Sequence, residues 1–141
     1  MKTLRALLLS SGHSSPGVSA LALGLLRVAL GALMFFGHGL PKLMSYSEKS
    51  ATFSDPLGVG PALSLGLAVF AECFCALLVT LGLGTRLAVI PLIITMAVAV
   101  FIVHSGDPFA RQEKALLFGI GFLVLLVGGG GSFSLGNLFR R

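Results

Sequence analysis

Four long apolar segments restrict what this chain can fold into. A helix needs about 20 apolar residues to cross the hydrocarbon of a bilayer, and backbone groups that face lipid must be hydrogen-bonded within their own segment. Residues 18–38, 61–83, 86–104 and 108–129 meet that requirement. The turn at 82–85 is so short that the second and third helices must be antiparallel neighbours. The sequence therefore predicts an all-α polytopic membrane protein, an up-and-down bundle of four transmembrane helices within residues 18–141.

The composition agrees with a membrane protein and excludes several soluble classes. Hydrophobic residues make up 55% of the chain, and charged residues only 11%, against roughly 25% in globular domains. The net charge of +5 does not indicate nucleic acid, because most cations lie beside apolar segments, where they anchor helices to anionic headgroups. No zinc-finger spacing or phosphate-binding glycine loop is present. We expect the lipid bilayer as a partner and no nucleic acid.

The first 17 residues differ from the rest of the chain. Lys2 and Arg5 precede an apolar patch at Ala6–Leu9, which is shorter than a secretory signal requires. This pattern predicts a short interfacial helix on the membrane surface, followed by a turn into the bilayer. Lys and Arg number five on the face that carries the termini and four on the other face, so the positive-inside rule favours cytoplasmic termini by one residue.

Two charges stand well inside the predicted spans, Arg27 in the first and Glu72 in the second. A lone charge at the bilayer centre costs at least about 2.5 to 3.5 kcal/mol, so such residues face the bundle interior and find partners. The two helices are antiparallel, which puts both residues at similar depth. We therefore expect a buried Arg27–Glu72 ion pair. It either locks the register of the two helices or also lines a functional cavity.

One face of the first helix carries small and polar residues. At about 100° per residue, Gly24, Arg27, Gly31, Met34 and His38 share that face. The pattern predicts a polar track from mid-membrane to the loop side, where Lys42 extends to the headgroups. Candidate cofactor-binding residues on this track are Arg27, Met34 and His38.

A second histidine, His104, ends the third predicted span on the same side as His38. Histidines at equal depth on parallel helices can ligate a b-type haem or a metal, or they can form interfacial hydrogen bonds. Nothing else in the sequence requires haem, and we predict no metal site. Asp107 and Arg111, four residues apart, are typical of a solvated helix start. The candidate catalytic residues are Glu72, Arg27, His38 and His104.

These residues occur within segments that resemble the DoxX family of small bacterial membrane proteins. The segments are LLRVALGALMFFGHGLPKL, AVFAECFCALLVTLGLGTRLAVIPL and HSGDPFARQEKALLFGIGFLVLLVGGGGSFSLG, and the resemblance covers about residues 21 to 138. It implies a four-helix protein of the bacterial inner membrane, related to the membrane subunit of thiosulfate:quinone oxidoreductase. The chain departs from the family at Gly129–Gly131, where Gly-Pro-Gly is usual, and at Gly136, where an Asp often stands.

Two functions follow from these features. The first is a quinone-linked redox subunit, whose polar intramembrane pocket near His38 and His104 binds quinone as its cofactor. The chain has no flavin, nicotinamide or iron–sulfur signature, so other membrane or redox subunits are expected partners. The second is a non-catalytic accessory or assembly subunit of a larger membrane complex. Whether the chain is an enzyme stays open, as do a homo-oligomer and a solute-transporter function.

Overall fold

The computed structural model describes residues 15–139, which contain six helices and no strand. Three of the four long helices each pass through one short π-helical stretch. The helices are α1 (Pro16–Met44), α2 (Tyr46–Lys49), α3 (Pro61–Leu81), α4 (Thr85–Val103), α5 (Phe109–Gly128) and α6 (Leu135–Leu138). The predicted interfacial helix falls almost entirely outside the described residues.

Helix α1 extends six residues beyond the end that the sequence predicts. The prediction ended this helix at His38 because Gly39 and Pro41 follow, yet the helix continues to Met44. The amide of Leu40 donates to the carbonyl of Phe35, five residues back. The helix has therefore left its α register just before the proline ring, which would otherwise meet the carbonyl four residues earlier. At its other end, Ser15 caps the helix and Pro16 takes the first helical position.

Helices α1 and α3 approach each other at glycines. A Cβ atom at Gly31 would overlap Thr80, and one at Gly39 would overlap the backbone carbonyl of Glu72. Small residues allow membrane helices to pack backbone against backbone in this way. These contacts fix the register of the two antiparallel helices, with Gly39 level with Glu72.

Helix α4 follows α3 through a tight turn, in which Gly82 and Gly84 both have positive φ. Helix α5 packs along α4 and also touches α1. The side chains of Met34, Val79, Leu92, Phe122 and Leu125 are fully buried between these helices. Large apolar side chains such as Leu25, Leu87 and Phe101 face outward, as expected for a surface that contacts lipid.

Helices α1, α3 and α4 are each long and apolar enough to cross a membrane. Helix α5 has 20 residues, a length of about 30 Å at 1.5 Å per residue, but its first two turns carry Arg111, Glu113 and Lys114. The structure therefore supports a polytopic all-helical protein with three candidate spans. The fourth span stays a prediction.

Candidate functional site

Glu72 forms an ion pair with Lys42, whose Nζ donates to Glu72 Oε2. Glu72 is only 5% exposed, in the π-helical stretch Phe70–Cys75 of α3. Lys42 lies near the end of α1, and its side chain is 25% exposed. Gly39 brings the α1 backbone against the carbonyl of Glu72. Lys42 stands three residues beyond this contact, so the glycine positions its ammonium over the carboxylate.

The expected Arg27–Glu72 pair is wrong. The register places Gly39 at the level of Glu72, and Arg27 is twelve residues earlier, about 18 Å along the helix axis. Glu72 has taken Lys42 as its partner instead. Similar depth from the ends of two predicted segments did not fix their relative register, because α1 extends beyond its predicted end.

Arg27 is satisfied by backbone carbonyls alone. Its side chain is almost completely enclosed, with the residue 1% exposed. Nε donates to Gly130 O at 2.8 Å, and Nη1 donates to Val79 O at 2.9 Å and Thr80 O at 2.6 Å. Nη2 completes the set with Phe133 O at 3.1 Å and Ser132 O at 3.4 Å. We call Arg27 and these five carbonyls the backbone clamp.

The backbone clamp joins the middle of α1 to the end of α3 and to the segment that follows α5. Val79 and Thr80 are in the last turn of α3, and Gly130 comes shortly after the end of α5. The last carbonyls of a helix lack intrahelical partners and carry the negative end of the helix dipole. A guanidinium, with five donors in a planar fork, matches such a group of acceptors without needing a carboxylate.

Two cavities meet at the Lys42–Glu72 pair. The first, about 450 Å³, is lined by Met34, His38 and Phe118 and reaches the polar residues at the start of α5. The second, about 420 Å³, is mostly apolar and lies between α3 and α4. Both are also bordered by His104. We call Lys42, Glu72, His38 and His104 the paired site.

The apolar cavity reaches the outer surface of the bundle. Leu67 and Phe70 from α3 and Ile94 from α4 line it, and all three side chains are about half exposed. In a bilayer this surface contacts acyl chains. The cavity can therefore exchange an apolar molecule with the membrane without passing through water.

The two histidines have different surroundings. The ring of His38 packs edge-on against Phe118, with ring centroids 5.7 Å apart. His104 Nδ1 lies 2.7 Å from Asp107 Oδ2, and Gln112 Nε2 donates to the carbonyl of His104 at 2.8 Å. One ring nitrogen of His104 is thus committed to Asp107, which orients the ring. The sequence predicts both histidines on the same side of the membrane, and in the structure both line one cavity.

Asp107 is held ionised by its neighbours. Its hydrogen bond with His104, and then the positive charge of Arg111 at 3.4 Å, lower the pKa of Asp107. From the sequence, we interpreted Asp107 only as part of a solvated helix start. Its i, i+3 spacing from His104 was the available signal for a hydrogen-bonded pair.

Lys42 and Gln112 are the site residues that sequence reasoning missed. Lys42 was assigned to the headgroups because the first helix was ended before it. Its i+3 spacing from Gly39 was a usable signal, since a glycine in a predicted membrane helix indicates close approach of another helix. Met34, by contrast, is fully buried and lines the cavity beside His38, on the predicted face.

Three π-helical stretches surround the paired site: Phe35–Gly39, Phe70–Cys75 and Ala99–Val103. The first contains His38, the second contains Glu72, and His104 follows the third. Single π turns inside α-helices are frequent at functional sites, because each one leaves the regular hydrogen-bond pattern and redirects nearby side chains. Among residues 15–139, no group of three or more His, Cys, Asp or Glu side chains is arranged to hold a metal ion.

The fold and the paired site define a class: a helical membrane protein with charged and imidazole groups enclosed between its helices. The chain belongs to the DoxX family, whose model matches residues 22–105. It is also 32% identical, over 126 residues, to an uncharacterized protein of Haemophilus influenzae, covering 84% of this chain and 91% of that protein. No solved structure matches. The family match includes all four residues of the paired site and Arg27, and it ends before α5.

Proposed function

We propose that this DoxX-family membrane protein is a quinone-linked redox subunit that binds the quinone at the paired site. The observation that carries the proposal is the junction of two unlike cavities at one partly buried ion pair. Their volumes, about 450 and 420 Å³, fall in the roughly 300–1,000 Å³ range of small-molecule sites. A quinone has a polar ring and an apolar isoprenoid tail, and the two cavities differ in the same way.

The proposed orientation puts the ring near His38, Lys42 and His104, and the tail in the apolar cavity. Quinone oxygens accept hydrogen bonds, which the Lys42 ammonium and the imidazole N–H groups can donate. The tail would leave through the opening bordered by Leu67, Phe70 and Ile94, which is where a membrane-dissolved molecule would arrive.

The titratable groups suit the proton side of quinone chemistry. Reducing a quinone to its quinol takes two electrons and two protons, and oxidation returns them. Glu72 and His104 can accept or supply protons beside the ring, and Asp107, hydrogen-bonded to His104, connects the site to the outer end of α5. The electrons would be exchanged with a partner redox subunit. We further propose that α5 is a fourth span, that the protein is in the bacterial inner membrane and that its termini are cytoplasmic.

A quinone titration tests the proposal. The protein is purified in detergent, extracted for co-purified quinone, and titrated with a quinone that carries a short isoprenoid tail. We expect saturable binding that weakens by about tenfold in Lys42→Met, the usual scale for losing a hydrogen bond to a charged group. Lys49→Gln, which removes one exposed positive charge outside the site, is the matched control. Equal affinity in all three proteins contradicts the proposal.

The tail orientation has its own test. Ala68 lines the apolar cavity, so Ala68→Phe fills space that the tail would occupy. Ala97 is exposed on α4, so Ala97→Phe adds the same ring outside the cavity. We expect the affinity gained from a longer tail to disappear in the first variant only. A gain that persists in Ala68→Phe contradicts this orientation.

One observation favours the second function, a non-catalytic accessory subunit. Arg27, half of the expected functional pair, is fully used by the backbone clamp and does not reach the paired site. A preparation that contains no quinone, binds none and copurifies with a larger membrane complex would support the accessory function.

A further inference from the structure

One wall of the apolar cavity comes from a loop rather than from a helix. Residues 50–60 connect α2 to α3, and we call them the connecting loop. Four of its residues line the cavity: Phe53, Ser54, Pro56 and Leu57. The loop lies where α3 begins, at the end of the bundle, whereas the membrane-facing opening is farther along α3 and α4. The connecting loop therefore stands between the apolar cavity and the water beyond the helix ends.

Asp55 fastens this loop to the start of α3. Ser64 Oγ donates to Asp55 Oδ1 at 2.7 Å, and the amides of Val59 and Gly60 donate to Oδ1 at 2.9 Å and to Oδ2 at 2.8 Å. Val59 and Gly60 directly precede α3, and Ser64 is in its first turn. One carboxylate thus gathers three donors from the point where the loop meets the helix.

Ser64 belongs to the cavity wall as well as to this hydrogen-bond network. It lines the apolar cavity and is only 8% exposed. Its hydroxyl is the side-chain group of α3 that holds Asp55. A loss of this hydrogen bond would release the loop from the helix that it covers, without removing any apolar side chain from the cavity.

The backbone of the connecting loop is shaped for this contact. Gly58 has a φ of +68° and Gly60 a φ of +102°, a region that other residues rarely adopt. The chain folds back at these glycines and so brings its amides onto the Asp55 carboxylate. At the other end of the loop, the amide of Phe53 donates to the carbonyl of Lys49 at 2.8 Å, which continues from α2.

The Asp55 carboxylate is ionised and is bound by neutral donors. The hydrogen bond from Ser64 contributes most to lowering the pKa of Asp55, and the amides of Gly60 and Val59 act in the same direction. Hydrogen bonds to an ionised acceptor are stronger than those between neutral groups. Among residues 15–139, Asp55 forms no salt bridge, so its partners locate the loop rather than balance a charge.

We propose that Asp55 is a positioning residue for the apolar cavity. By fastening the connecting loop to Ser64, it makes the loop a wall that keeps water out, so that a ligand enters from the bilayer. The inference rests on the proposed function only for the identity of that ligand, the quinone tail. A dry cavity favours an apolar tail, and it also strengthens the attraction between Lys42 and Glu72 at its inner end.

Thiol labelling in lipid nanodiscs, which expose both faces of the bilayer, tests the wall. Ala68→Cys places the thiol in the cavity, one helical turn beyond Ser64, in a protein that also carries Cys73→Ala. The labelling rate with a charged thiol reagent follows the fraction of molecules in which the loop is open. We expect Ser64→Ala to raise this rate by about tenfold, the effect of one hydrogen bond to a charged group. Asp55→Ala should raise it at least as much. Glu48→Ala, which truncates an exposed carboxylate on α2, should not.

Two further measurements separate loop opening from unfolding and from free access. Cys75 is 3% exposed in the core, so its labelling, measured with Ala68 unchanged, should stay slow in every variant. Ser47→Cys, on the exposed surface of α2, gives the rate for a thiol in water. The inference is overturned if Ala68→Cys alone is labelled as fast as Ser47→Cys. It is also overturned if Ser64→Ala and Asp55→Ala leave the rate unchanged, if Glu48→Ala raises it equally, or if Cys75 is exposed to the same degree.

The labelling experiment needs no quinone, so its outcome is independent of the quinone titration. Labelling that depends on Asp55 and Ser64 supports the loop as a wall even where quinone does not bind. Saturable quinone binding together with labelling that ignores both residues overturns the wall and leaves the proposed function standing.

Discussion

Helix α1 buries positive charge in two different ways, at Arg27 in its middle and at Lys42 near its carboxyl end. At the backbone clamp, Arg27 donates hydrogen bonds from all three of its side-chain nitrogens to backbone carbonyls. The backbone around it leaves no room for another molecule. At the paired site, Lys42 has one ionised partner, Glu72, and open space on both sides. A cation that is saturated by backbone fixes structure, whereas a charge pair bordered by cavities can change partners. Burial of charge alone does not separate these roles; the type of partner does.

The largest effect is expected at the backbone clamp. Arg27→Met leaves carbonyls in the buried ends of α3 and the glycine run without donors, and each orphaned group costs about 1–3 kcal/mol. We expect a loss of at least about 3 kcal/mol in the free energy of unfolding, summed over these groups. Denaturant unfolding in mild detergent measures it. Arg27→Lys should rescue little, because one ammonium cannot reach acceptors on both segments. A stable Arg27→Met variant would show that the clamp is dispensable.

A pair of glycines gives the next comparison. Gly39→Ala places a methyl group against the Glu72 carbonyl, so α1 and α3 must separate, at a cost of about 1–3 kcal/mol. Gly37→Ala, two residues away, meets nothing within 4 Å and should stabilise the helix by up to about 1 kcal/mol. Thermal unfolding of both proteins tests this. Equal melting temperatures would mean that the close approach at Gly39 does not determine the helix register.

The effects of substituting Lys42 and Glu72 on the free energy of unfolding should be coupled rather than additive. Removing one member leaves the other charge partly buried without its partner, while removing both leaves neither. We expect Lys42→Met and Glu72→Gln to destabilise by about 1–2 kcal/mol each, and the double variant by less than their sum. Purely additive effects on the free energy of unfolding would indicate that the two side chains do not interact in the folded protein.

The smallest effect concerns Asp107 and acid. A carboxyl whose pKa is lowered in the fold stabilises it only while ionised. This contribution is complete above the unfolded pKa of about 4 and is lost as pH falls through the folded value. The melting temperature of the wild type should therefore drop more steeply below pH 4 than that of Asp107→Asn. Parallel acid profiles would show that the bond from His104 does not favour the ionised form.

The sequence predicted the bounds of the four long helices closely except at the carboxyl end of α1, because apolar length and turn residues are local properties. It also identified the buried face of α1: Gly24, Arg27, Gly31 and Met34 are all buried. Helical periodicity alone determines which residues share a face. Positions on one helix could therefore be assigned without knowing its neighbours.

What failed was the relation between helices. The partner of Glu72 depends on how far α1 slides along α3, and backbone contacts at Gly31 and Gly39 set that distance. The π turn before Pro41 also has no simple sequence signature. Because α1 continues through this turn, Lys42 lies on the helix beside Glu72. Carbonyl partners for Arg27 could not be predicted either, because every residue has a carbonyl and only the fold determines which ones converge.

The quinone affinity of Glu72→Gln, measured together with its melting temperature, tests the central claim most directly. Glutamine keeps the shape of the side chain and can still accept a hydrogen bond from Lys42, but it can neither neutralise the ammonium nor take up a proton. We predict that quinone affinity falls by about tenfold, because the Lys42 ammonium loses the carboxylate that holds it beside the ring and its hydrogen bond to the quinone is weakened. The protein remains folded, with a melting temperature far closer to wild type than that of Arg27→Met. Unchanged affinity, or a loss that appears only because the protein has unfolded, would contradict the functional role of the paired site.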